Sequence, residues 1–353
     1  MQTRGYSLVV VSALICFCIF SVKTYGVLAP LYNFDESGKS VTSVSLKTEE
    51  NQTSQNQSPE SDEAVSSQAI PSGETLSAPT QSTQSVPISA GAVAGNILSK
   101  YVSPYNAGAS YNKVYVKNST DAKIDIKKIL ESPLKFNITA NTDQPQVLIV
   151  HTHATESFMQ TDSKTYTEDF KSRSTDNNIN MVKIGSIVAE KLNTAGIKTL
   201  HSDTQHDYPK YTGSYSRSAE TINWYLKKYP SIKIVLDLHR DAISSNNGDK
   251  TKLVTKINDK NAAQVMLVMG SQTGSVKNHP NWQENLKLAF KLQQKMEEKY
   301  PTLARPLYLT SKVYNQNLTT GSLLLEFGTD ANTLNEVCYS AELVGNTLVD
   351  LLK

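Results

Sequence analysis

Residues 147–156 read VLIVHTHATE. The four apolar residues Val147 to Val150 form a short continuous run, the pattern of a strand buried on both faces. Directly behind it come His151, His153 and Glu156. In an open α/β sheet, chemistry gathers at the carboxyl ends of the strands. This stretch therefore predicts both a strand buried on its two faces and the position of a site.

Working outward, the pattern stays regular. Met181 to Ala195 carries apolar residues at Met181, Ile184, Val188 and Leu192, a helical stripe closed by Gly196. Ile197–Leu200 reads as a strand, Ser218–Tyr229 as a helix and Ile232–Leu238 (IKIVLDL) as a third strand. Leu253–Ile257 and Val265–Met269 read as two further strands joined by the polar turn at Asn258 to Lys260. Glu284–Tyr300 is an amphipathic helix, Ser322–Leu325 a strand, and Leu334–Leu352 a closing helix. Strands alternating with helices at this spacing predict an α/β fold: an open mixed, largely parallel sheet with helices on both faces.

Two more strands end in chemically useful groups. IVLDL runs into His239, Arg240 and Asp241, and SLLL runs into Glu326. Imidazoles plus a carboxylate are the ligand set of a catalytic zinc ion that keeps one position open. A further carboxylate is then needed to move the proton of the attacking water. The expected ligands are His153, Glu156 and His239, with His151 an alternative to His153, and Glu326 is the expected base. Each group has an ordinary reading when taken alone. A histidine after a strand is commonly a hydrogen-bonded structural residue, and Glu326 could be a capped surface carboxylate. Their convergence at three strand ends of one sheet is what points to zinc. Asp237 reads as a carboxylate that orients a ligand histidine. Arg217 reads as a structural salt-bridging residue or a grip on a substrate carboxylate, Arg240 as a charge anchor facing the site, and either could stabilise developing charge. His201, His206 and His279 lie in polar sequence and read as surface residues, His206 being a weak ligand candidate.

The chain has 353 residues, with 35 basic and 33 acidic side chains for a net charge of +2. No clustered basic excess exists to neutralise phosphates, so nucleic acid is excluded as a partner. Cys16, Cys18 and Cys338 offer no disulfide framework, and Cys338 reads as a small core residue. Arg4 precedes an uncharged apolar run from Tyr6 to Val22. Residues 1–28 read as a membrane anchor with a cytoplasmic N-terminus, a cleaved signal peptide being the competing reading. Either way the remainder is translocated. Residues 29–89 are dominated by Ser, Thr, Gln, Glu and Pro and read as a flexible linker without a core. Residues 90–145 read as an N-terminal extension packed on the main domain, with a short helix over Ala90–Tyr101. Residues 146–353 are the expected catalytic domain.

The motifs HTHATESF, LDLHRDA and YNQNLTTGSLLLEFGTDANT together resemble the sporulation stage II protein P family from Val147 to the C-terminus. That family is similar to the zinc N-acetylmuramoyl-L-alanine amidases. The resemblance implies cleavage of peptidoglycan between muramic acid and the stem peptide, with endopeptidase activity on cross-links. It implies anchorage in the mother-cell membrane facing the forespore, action during engulfment, and work with sporulation stage II proteins D and M. Carried over motif by motif, the ligand histidines fall on His153 and His239, the catalytic glutamate on Glu326, and an arginine on Arg217. One departure matters. The amidases take a ligand glutamate from the start of their first helix, and the corresponding NNINMVKIG here has no carboxylate. Glu156 is the substitute. The rival expectations are a peptidase of stem-peptide cross-links, a non-catalytic wall-binding or scaffold module, and a cytoplasmic enzyme of small metabolites.

Overall fold

The VLIV run is a strand buried at every position, and it stands second from one edge of a larger sheet. The computed structural model describes residues 91–353. The anchor expected at 1–28 and the linker expected at 29–89 lie outside the described residues. Among the described residues, no helix is long and apolar enough to cross a membrane.

In chain order the elements are β1 (Val93–Lys100), β2 (Ala109–Tyr111), β3 (Val114–Asn118), α1 (Ile126–Glu131), β4 (Val147–Val150) and β5 (Thr165–Thr167). They continue with α2 (Met181–Thr194), β6 (Thr199–His201), α3 (Ser214–Lys228), β7 (Ile234–Asp241), β8 (Lys250–Ile257) and β9 (Lys260–Ala263). The last are β10 (Val265–Gly270), α4 (Trp282–Lys299), β11 (Leu307–Thr310), β12 (Ser322–Thr329) and α5 (Leu334–Leu352).

The main sheet has eight strands in the order β2-β3-β11-β10-β12-β7-β4-β6. Strands β6, β4, β7 and β12 run parallel. β10 turns antiparallel to β12, with β11 and β3 parallel to β10. This is the mixed, largely parallel α/β sheet that the alternating pattern predicts. The pleat sorts the side chains. Val147, Ile149, Ile234, Leu236, Leu323 and Leu325 join the larger core with residues of α2, α4 and α5. Leu148, Val150 and Val235 join Ile222 of α3 in a smaller one. Helices thus cover both faces. The α3 face of β7 and β12 is the one that carries Asp237, His239 and Glu326.

A smaller sheet, β5-β1-β8-β9, lies beside it, and it corrects two expectations. Within the stretch expected to be a helix, Val93–Lys100 forms strand β1. Gly91 and Gly95 are poor helix formers, and a Cβ on either would strike Asp169 or the Tyr166 ring. Close pairing with β5 and β8 decides the conformation. The polar turn at Asn258–Asp259, with both φ values positive, closes a hairpin between β8 and β9. It does not join β8 directly to β10. The presumed extension is therefore woven into both sheets: β1 pairs with β8, and β3 pairs with β11 while burying Val114 and Val116.

Candidate metal centre

Strand β4 ends at Val150, and a tight turn follows in which Glu156 N donates to His153 O at 3.2 Å. The turn brings the two side chains together: His153 Nδ1 lies 3.5 Å from Glu156 Oε1. His239 comes from the parallel neighbour β7, its Nδ1 3.6 Å from Glu156 Oε2. One ligand atom from each of these three residues lies within 4.8 Å of the others. Glu156 also takes the place of the missing helix carboxylate. Its carbonyl accepts from Met181 N, the first residue of α2, at 2.9 Å, so it sits at the start of that helix although it belongs to the preceding turn.

The outer nitrogen of each imidazole has a polar neighbour. His153 Nε2 is 3.1 Å from Ser214 Oγ. His239 Nε2 is 2.9 Å from Asp237 Oδ1, two residues earlier on the same face of β7. A carboxylate partner favours Nε2–H on His239, and Nδ1 is the nitrogen that faces Glu156. Asp237 is itself fixed, accepting from Thr152 N at 2.8 Å and Thr152 Oγ1 at 2.7 Å. Burial opposes charge on His239, but Asp237, Glu156 and Glu326 overcome it and push its pKa up to about 10. Burial would also raise Glu156, yet His153, Arg240 and His239 hold it well below the usual carboxylate range. The site attracts positive charge.

Glu326 lies on β12 in register with His239. Its Oε2 is buried and makes no hydrogen bond. Burial, with Asp241 and Glu156 adding to it and His239 opposing it, raises the carboxyl above the ordinary range. Tyr215 of α3 lies parallel to the His239 ring with centroids 6.4 Å apart, and meets the His153 ring edge-on.

The other expected residues go elsewhere. His151 continues the pleat of β4 onto the α2 face. Its Nδ1–H donates to Leu238 O at 3.1 Å, and its Nε2 meets His201 Nε2 at 2.9 Å. It is not in the cluster, so the structure brings in His153 of the two alternatives. Arg217 donates to the carbonyls of His206, Lys210 and Thr212, bracing a loop and leaving no fork for substrate. Arg240 donates through its side chain to the carbonyls of Ser157, Asp241 and Ser172. Its contribution to the site is its backbone N–H, 3.1 Å from Glu156 Oε2. The histidines read as surface residues are not at the surface. His206 is buried between His151 O and Thr221 Oγ1, His279 is fully buried, and His201 backs His151. Sequence reasoning missed Ser214, Tyr211, Tyr215 and Arg173. Nothing in their local sequence marks them, since long-range packing brings them to the cluster.

Two imidazole nitrogens converge on one carboxylate, an arrangement that a cation between them would bridge. Two histidines and a carboxylate, each imidazole held through its other nitrogen, is the donor set of a three-ligand zinc site. The residues present fit zinc.

Fold and site together define a mixed α/β protein with a two-histidine, one-carboxylate centre at the carboxyl ends of its central strands. The family model for stage II sporulation protein P (SpoIIP) matches residues 26–348, and the chain belongs to that family. The stage II sporulation protein P of Bacillus subtilis (strain 168) is 30% identical over 220 residues, 59% of this chain and 51% of that relative. The chain thus spans about half the length of the curated relative it matches. Among solved structures it is similar to the CwlD amidase from Clostridioides difficile in complex with the GerS lipoprotein. That match has 11% identity and a TM-score of 0.39 over 59% of this chain and 98% of that one. It is also similar to the apo form of the N-acetylmuramyl-L-alanine amidase Ami1 from Mycobacterium abscessus, with 14% identity and a TM-score of 0.35 over 60% and 100% of the two chains.

Proposed function

We propose that this protein is a peptidoglycan hydrolase of spore formation, a zinc-dependent N-acetylmuramoyl-L-alanine amidase. The observation that carries the reading is the convergence of His153, Glu156 and His239 within 4.8 Å, beside the buried, unpaired Oε2 of Glu326. Family membership supplies the setting. When bound, zinc would supply Lewis acidity to the scissile carbonyl and a water acidified toward a pKa of ~7.

The chain's own groups do the rest. His153, Glu156 and His239 hold the ion, and Asp237 and Ser214 fix the two rings. Glu326 takes the proton of the attacking water and passes it to the leaving nitrogen, a transfer that its raised proton affinity suits. Tyr215 walls the site on the α3 side. Stem-peptide cross-links present the same amide chemistry, so endopeptidase activity belongs to this proposal. Anchorage through residues 1–28, action at the mother-cell membrane during engulfment, and partnership with sporulation stage II proteins D and M complete it.

The test uses purified peptidoglycan, chelator and added zinc, with products identified by mass. Stem peptides released by the zinc-loaded chain should disappear with chelator and return with zinc. Glu326→Ala should keep zinc, measured by metal analysis, and lose on the order of 10²–10⁴-fold in turnover. His239→Ala should lose both. A Glu326→Ala chain that digests wall at the normal rate removes Glu326 from this role.

A further inference from the structure

Arg173 differs from the two arginines singled out in the sequence. Its Nη1 donates to Asp207 Oδ2 at 2.6 Å and to Thr155 Oγ1 at 3.2 Å. The Asp207 carboxylate is wholly buried, whereas 38% of the Arg173 side chain is exposed. Nη2 lies 3.5 Å from Glu156 Oε1, beyond a good hydrogen bond. The guanidinium packs 4.7 Å from the centre of the Tyr211 ring. Tyr211 in turn stacks on His153 at 4.7 Å and 26°. Tyr211 belongs to the loop that Arg217 braces through Lys210 O and Thr212 O.

One edge of the Arg173 fork is therefore anchored, while the rest opens to solvent beside the metal cluster. A cleft of about 560 Å³, lined by Ser157, Met159, Tyr166 and Phe170 among others, has Arg173 in its wall. Its size falls in the roughly 300–1,000 Å³ range of small-ligand sites.

We propose that Arg173, held by Asp207 and backed by Tyr211, anchors a carboxylate of the peptide part of the substrate, the peptide running into this cleft. The inference rests on the peptidoglycan reading above and names the group recognised. A guanidinium fork binds a carboxylate through two parallel hydrogen bonds, which an ammonium cannot reproduce. An extended peptide advances roughly 3.3–3.6 Å per residue. A carboxylate on the second residue beyond the scissile amide is then within reach of a group bordering the cluster. Arg217 acts at one remove, as the positioning residue of the Tyr211 loop.

The experiment measures binding of two muramoyl-tripeptides to the zinc-loaded full chain carrying Glu326→Gln, so that ligand is not consumed. The two ligands differ only in whether the α-carboxylate of the second residue is free or amidated. Calorimetry should show the free carboxylate bound roughly tenfold or more tightly. Arg173→Ala should abolish that preference and Arg173→Lys should lose most of it, both with zinc content unchanged. Equal binding of the two ligands, or a preference that survives Arg173→Ala, overturns the proposal. So does a loss of zinc in Arg173→Ala that weakens both ligands equally, which makes Arg173 a support for Glu156. Hydrolysis by the wild-type chain is scored separately. Discrimination without hydrolysis counts against the amidase reading, and hydrolysis without discrimination counts against Arg173.

Discussion

Asp237 shows what one side chain contributes to this site. It accepts two hydrogen bonds from Thr152 and faces His239 Nε2 at 2.9 Å, so it ties the end of β4 to β7 while fixing a ring. Asp237→Asn keeps the shape and the acceptor for Thr152 N, but it sets an NH2 donor against Thr152 Oγ1 and loses the charge that holds Nε2–H in place. Zinc affinity should fall about 10–100-fold with little change in folding, measured by competition with a chromogenic chelator. Unchanged affinity would confine Asp237 to the Thr152 anchor. Part of this was legible, because a strand alternates faces and LDLH must place Asp237 and His239 together. The choice between His151 and His153 was not. Alternation carries His151 onto the α2 face, and the turn after Val150 swings His153 away from it. The arginines were illegible for a similar reason. Whether a guanidinium is occupied depends on which carbonyls surround it, and those come from distant segments.

Helix α2 shows the same division at the next scale. Its stripe of Met181, Ile184, Val188 and Leu192 is fully buried, as the spacing predicts. Asn180 caps it by accepting from Val182 N at 2.9 Å. Gly185, on the same helix, carries a demand that the stripe does not reveal. A Cβ there would lie 2.5 Å from both His151 Nε2 and His201 Nε2. In an exposed helix Gly→Ala stabilises by up to about 1 kcal/mol. Here overpacking against the histidine pair should reverse the sign. Gly185→Ala should destabilise by about 1–3 kcal/mol, read as a lowered thermal midpoint. A raised midpoint would show that the two rings yield to a methyl group. Strand β1 is the element where local reading failed outright, since its pairing partners lie far along the chain at β5 and β8.

Across the whole molecule, the segment before residue 146 is part of the fold. β3 covers the edge of β11, and β1 joins β5 and β8 into one sheet. A chain beginning at residue 146 would leave those edges bare, an invitation to aggregation, and would remove Val114 and Val116 from the core. It should be aggregated or protease-sensitive, whereas a chain beginning at residue 91 should give a cooperative unfolding transition. Circular dichroism with limited proteolysis checks this. A cooperative, protease-resistant fragment from residue 146 would restore the simpler division into extension and domain.

The sequence by itself determined the α/β class, most of the helices and several strands, and it marked Glu156, His239, Glu326 and one of the pair His151 and His153 as candidates. These follow from short-range rules, hydrophobic period and the step from strand to loop, which act over a few residues. Only the tertiary structure decided the second sheet and the part that residues 91–145 play in both sheets. It alone separated His151 from the cluster, tied Asp237 to Thr152, and left part of the Arg173 guanidinium exposed where Arg217 and Arg240 are occupied. Those outcomes depend on hydrogen-bond partners tens of residues away in the chain, and no local pattern records which partner a buried polar group will find.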